Sequence, residues 1–100
     1  MQSIDQAPPP RYAPPVKRSI TIAGHQTSIS LEPLFWQALE ERARANGLPL
    51  SALVARIDAE RISAADPPNL ASAIRCWLLM ARMQGEADGE PGHQASGRLA

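Results

Sequence analysis

The sequence predicts a small α+β domain, a β-hairpin over residues 17–31 followed by three helices, and three observations carry that prediction. Within residues 17–31, residues 19–22 and 28–31 alternate strictly between polar and apolar, the period of a half-buried strand. After Leu31 the apolar period changes to 3.6. Gly47-Leu48-Pro49 and Asp66-Pro67-Pro68 then cut the remainder into three pieces of helix length.

The hairpin comes first. Ile20 and Ile22 share one face of a first strand with Ser19 and Thr21 on the other. The pattern resumes after Ala23-Gly24-His25-Gln26, with Ile29 and Leu31 inward and Ser28 and Ser30 outward. Two strands bury too little apolar area to offset their own ordering, so the hairpin needs a cover. The first helix supplies one, from about Pro33, a residue suited to the first helical position, to Asn46. Phe35, Leu39 and Ala43 form its expected apolar face, with Ala38 beside them and Trp36 on the flank. Gly47 is the expected left-handed stop. A second helix starts at Pro49, with Leu50, Leu53, Val54 and Ile57 in one stripe, and ends between Ala59 and Ala65. Asn69 is placed to cap a third helix, whose apolar face is Leu70, Ala73, Ile74, Trp77, Leu78 and Ala81 and whose end is expected near Gln84, before Gly85.

Composition divides the 100 residues into three regions. Residues 1–16 hold Pro8-Pro9-Pro10 and Pro14-Pro15 without apolar periodicity and read as a disordered arm. Residues 17–84 are the folding unit, and residues 85–100, with almost nothing to bury, read as a disordered tail. A unit this short buries only about 60% of its unfolded surface, so an oligomer, at least a dimer, is expected. The zero net charge hides a weak basic bias in residues 17–84, opposed by Glu86, Asp88 and Glu90 in the tail. That bias alone does not indicate nucleic acid. The single Cys76 excludes an internal disulfide and fits a reducing cytoplasm. No signal peptide is evident, and the longest apolar run, residues 76–81, is too short for a bilayer.

A strand ending Thr27-Ser28-Ile29-Ser30-Leu31, a helix opening at Pro33, and Gly47-Leu48-Pro49-Leu50-Ser51-Ala52-Leu53-Val54 opening another resemble the ribbon-helix-helix proteins of the Arc/MetJ type. Lys17 to His25 running into Thr27 to Pro33, with Phe35-Trp36 and Asn69 to Arg75, is similar to a subgroup of short bacterial members. The resemblance covers roughly residues 17–80 and implies an intertwined homodimer that inserts a two-stranded ribbon into the major groove of double-stranded DNA. It assigns base contacts to Gln26, Ser28 and Ser30, and phosphate contacts to Lys17, Arg18 and the start of the second helix at Leu50, Ser51 and Ala52. The dimer core it implies is Ile29, Leu31, Phe35, Trp36, Leu39, Leu53, Val54 and Ile57. A groove about 12 Å wide admits two strands about 4.8 Å apart, whereas a dimer with two strands per chain makes a sheet about 19 Å wide. Which strand inserts, 17–22 or 26–31, and whether the third helix extends the dimer to a tetramer, stay open.

Without the resemblance, Ser28 and Ser30 read as the wet side of an amphipathic strand. His25 reads as a turn residue, and neither it nor His93 has companions at ligand spacing, so no metal or other cofactor is expected. Cys76 lies in an apolar run, where a buried structural thiol is expected, and Trp36 and Trp77 read as core or subunit-interface residues. With no nucleophile and base, paired carboxylates or phosphate loop, an enzyme is not expected. The leading expectation is a cytoplasmic transcriptional repressor. The alternative is a protein-interaction module, an antitoxin or adaptor, using the third helix and the acidic tail.

Overall fold

The computed structural model describes residues 12–88. Two strands, β1 (Val16–Ile22) and β2 (His25–Leu31), form an antiparallel hairpin, followed by α1 (Pro33–Ala45), α2 (Leu50–Ile62) and α3 (Leu70–Asp88). The strands are joined by a two-residue turn in which Ala23 and Gly24 both have positive φ, +50° and +83°. This is the left-handed geometry whose twist matches a right-handed hairpin. The register pairs Ser19 with Ser28 and Ile22 with His25, so residues opposite one another share a face.

All three helices lie on the inner face. Ile20, Ile22, Ile29 and Leu31 are buried beneath the sheet against Trp36, Leu39, Leu53, Val54, Ile57, Ile74 and Leu78. Full burial of each such side chain contributes about 1.5–3 kcal/mol, which supplies the cover that a lone hairpin lacks. The apolar face of α1 is rotated relative to the expected one. Trp36 is buried, whereas Phe35 is only half-buried and sits with the Arg75 guanidinium 5.6 Å from its ring centroid.

The helix boundaries follow from local chemistry. Gly47, at φ +67°, ends α1; its N–H donates to the Arg44 carbonyl at 3.0 Å, and the Leu48 N–H donates to the Ala43 carbonyl at 2.9 Å. These two bonds satisfy carbonyls that the helix end leaves orphaned. Pro49 is the N-cap of α2 and not its first residue. Asn69 caps α3, its Oδ1 accepting from the Ser72 N–H at 2.8 Å. α3 runs past Gly85 to Asp88, four residues beyond the end expected at Gln84. An isolated glycine costs a helix about 1 kcal/mol relative to alanine, and Gln84, Glu86 and Ala87 around it are good helix formers. The expected arm lies outside the described residues up to residue 11, and the expected tail from residue 89 onward.

Candidate nucleic-acid interface

The outer face of the hairpin is built by register. Lys17 stands opposite Ser30, Ser19 opposite Ser28, and Thr21 opposite Gln26, giving three polar cross-strand pairs on the side away from the helices. Lys17, Ser19, Thr21, Gln26 and Ser28 are exposed and Ser30 is half-buried. Contact within the row is weak, Ser19 Oγ to Gln26 Oε1 at 3.4 Å, so these donors and acceptors remain open to a ligand. No carboxylate belongs to the row. It offers hydroxyls, one amide and one ammonium, groups able to meet base edges and phosphate oxygens.

Arg18 does not join this face. Odd and even positions of β1 point to opposite sides, and Arg18 shares the inner side with Ile20 and Ile22. Its guanidinium lies 4.4 Å from the Trp36 ring centroid and pairs with Glu40 Oε2 at 3.0 Å. The Trp36 indole N–H in turn donates to the Val16 carbonyl at 2.8 Å. This cluster ties the start of β1 to α1, a role that the parity of the strand signals and that a search for basic residues passes over.

The other expected contacts fall elsewhere. Leu50, Ser51 and Ala52 form the first turn of α2, in the helical layer. The Ala52 N–H is already occupied by the Pro49 carbonyl at 3.0 Å, so it is not open to a phosphate. The residues expected in a shared dimer core are covered by their own chain. Ile29, Leu31, Trp36, Leu39, Leu53, Val54 and Ile57 are between 0% and 4% exposed, and only Phe35 of that set leaves appreciable surface.

Near the end of β2, Glu32 Oε1 accepts from Arg75 Nε at 3.1 Å and from Nη2 at 3.0 Å. Its own backbone N–H, and then the Arg75 guanidinium, hold the Glu32 carboxyl below its ordinary value of 4.5. Cys76 is exposed, not buried as expected, because α3 turns Ile74 and Leu78 inward and leaves position 76 on the opposite side. Among the described residues no cluster of His, Cys, Asp and Glu could hold a metal ion, and no helix is long and apolar enough to cross a membrane.

A hairpin leading directly into α1, and α1 turning at Gly47 into α2, is the order of elements expected of a ribbon-helix-helix chain. The family model for the ribbon-helix-helix domain matches residues 15–81. The chain belongs to the ribbon-helix-helix family. This is a family of DNA-binding regulatory proteins, and the match takes in both strands, α1, α2 and most of α3. Among solved structures, an uncharacterized protein from Bordetella pertussis Tohama I is similar at 28% identity with a TM-score of 0.63. The alignment covers 82% of this chain and 66% of that one, so this ribbon-helix-helix chain spans just under two thirds of its length. No curated protein matches.

Proposed function

We propose that the protein is a sequence-specific transcriptional regulator, a repressor acting by occlusion, which works as a homodimer and lays the outer face of the hairpin in the major groove of operator DNA. The observation that carries this reading is the row of three polar, acid-free cross-strand pairs, Lys17/Ser30, Ser19/Ser28 and Thr21/Gln26. One hairpin is about 5 Å across between its strands, so it fits a groove about 12 Å wide without help from a second chain. If the partner's hairpin is added edge to edge, only the central pair reaches the bases. In either arrangement Gln26 suits adenine, and the short hydroxyls of Ser28 and Ser30 favour thymine-methyl and water-mediated contacts. Lys17, at the end of the row, meets phosphate.

Selection of duplexes from a random pool, at two salt concentrations and with mass measured by light scattering, tests this reading. The expected result is an enriched motif with repeated half-sites, whose base preferences shift with Ser28→Ala or Ser30→Ala. Absence of enrichment from a folded oligomer would overturn it. The rival reading, a protein-interaction module such as an antitoxin or adaptor, draws support from Leu79, Met80 and Met83, which stand more than half exposed on α3. It predicts that binding to the partner tolerates Lys17→Ala, Ser28→Ala and Ser30→Ala together.

A further inference from the structure

The hairpin is held to the helices at one end. Trp36 donates to the Val16 carbonyl, Arg18 pairs with Glu40, and Arg75 pairs with Glu32. All of these contacts fall at the open end of the hairpin, where Val16 faces Leu31 and Lys17 faces Ser30. Burial is graded in the same direction. Leu31 and Ile29 are 0% and 2% exposed, whereas Ile20 and Ile22, nearer the turn, are 8% and 9% exposed. The side chains of the outer row follow this gradient in reach. Gln26, at the turn end, is long and flexible, whereas Ser30, at the tied end, is short. A short hydroxyl cannot make up for a misplaced main chain by changing rotamer, so what Ser30 reaches is decided by where residues 30–32 are held.

α3 does the holding. Arg75 Nε and Nη2 both donate to Glu32 Oε1, at 3.1 and 3.0 Å, and the guanidinium rests 5.6 Å from the Phe35 ring centroid. The main chain beside Glu32 is stiff. A residue before proline is confined to extended backbone; Glu32 has ψ 150°, and Pro33 opens α1. The Glu32 carbonyl accepts from the Phe35 and Trp36 N–H groups at 2.9 and 3.1 Å, while its carboxylate makes no cap bond to α1 and turns to α3 instead. The two side chains of the ion pair are 32% and 35% exposed, and pairs so open to solvent contribute little to global stability.

We propose that Arg75 is a positioning residue for DNA recognition: by holding Glu32 it fixes the main chain at Ser30 and sets the base preference at the tied end of the row, while the Gln26 end adapts to the sequence it meets. The proposal rests on the hairpin-in-groove reading given above and deepens it. α3 is then more than a lid on the core, since it acts as a strut for one end of the recognition face.

The test is duplex selection from a random pool with the full chain, as wild type, Arg75→Gln, Arg75→Lys, Ser30→Ala and Gln26→Ala, each well below its Tm. The Ser30→Ala and Gln26→Ala motifs identify which base positions each end reads. Arg75→Gln is expected to relax preference at the Ser30 positions by roughly fivefold, the lower end of what one base pair contributes. Preference at the Gln26 positions and the salt slope are expected to stay as in wild type. Arg75→Lys, which keeps the charge and can still donate to Glu32, is expected to recover part of the lost preference. A uniform weakening at every position would mean that Arg75 supports only the fold, and overturns the proposal. A flattened salt slope would place Arg75 on phosphate and also overturns it. So does an Arg75→Gln motif identical to a motif that the wild type selects, which sinks this proposal alone. A wild type that selects no motif overturns the DNA-binding reading itself, and the proposal with it.

Discussion

Arg18→Ala separates two roles that a basic residue beside the proposed DNA-binding face can have. Arg18 is held by a cation–π contact at 4.4 Å and an ion pair at 3.0 Å whose side chains are 38% and 43% exposed. At that exposure solvent screens the ion pair, which contributes about 0.2–1 kcal/mol, and the contact with Trp36 adds about 0.5–1 kcal/mol. Arg18→Ala is therefore expected to destabilise the fold by about 0.7–2 kcal/mol. For a domain of this size that lowers Tm by roughly 3–15 °C. It is expected to leave the salt dependence of DNA binding unchanged. Lys17→Ala, one residue away on the other face, should do the reverse. Stability should change by less than about 0.5 kcal/mol, and the slope of log K against log salt should fall by about 0.9 for each copy bound. Urea denaturation and fluorescence anisotropy on labelled operator, at four salt concentrations, read both quantities. If Arg18→Ala costs no stability and flattens the salt slope as Lys17→Ala does, its guanidinium reaches phosphate and the assignment to Trp36 and Glu40 is refuted.

Three further outcomes follow from local geometry. Ala23→Asn should stabilise the hairpin by about 0.5–1 kcal/mol in thermal melts, since Ala23 sits at φ +50° ahead of Gly24 and Asn-Gly is the preferred pair for such a turn. Gly47→Ala should cost about 1–2 kcal/mol, because nothing lies within 4 Å of the added Cβ and only the left-handed φ of +67° opposes it. Loss of Tm below the resolution of calorimetry would contradict this. Glu32 has a lowered pKa in the folded chain, so its contribution to stability is present above its unfolded value of 4.5 and is lost as pH falls through the folded value. Accordingly, the stability gap between wild type and Glu32→Gln should be constant near neutrality and close as pH falls below 4.5 and through the lowered folded value. A gap that widens instead would show that the contacts of its carboxylate with its own backbone N–H and with Arg75 are not its source.

The fold is legible in the sequence because its signals are local and agree with one another. Alternation marks both strands, Gly47 and Pro49 mark the break between α1 and α2, and Asn69 marks the cap of α3. Rotation and reach are harder to read. The 3.6-residue period identifies a stripe on α1 but not its centre; Trp36 is covered by the start of β1, through Val16 and Arg18, whereas Phe35 faces α3. Similarly, Gly85 is only a weak stop for α3, and good helix formers on either side override it. For the site, register turns three candidates, Gln26, Ser28 and Ser30, into one row with Lys17. Charge groups Arg18 with Lys17 although parity separates them, and that parity is present in the sequence. What covers an apolar stripe is the least legible feature, since the stripe is the same string of letters whether its cover comes from its own chain or from a second one.

The strict alternation of the hairpin also limits how such a protein can evolve. Substitution at 17, 19, 21, 26, 28 or 30 alters the outer face while the buried set stays as it is, so the chemistry that face presents can change one side chain at a time. A single-residue insertion or deletion inside either strand does something different. It moves every subsequent side chain to the opposite face, exposing isoleucines and burying hydroxyls. Length changes in the strands are therefore confined to pairs of residues or to the turn, and the outer face is free to change by replacement but not by slippage.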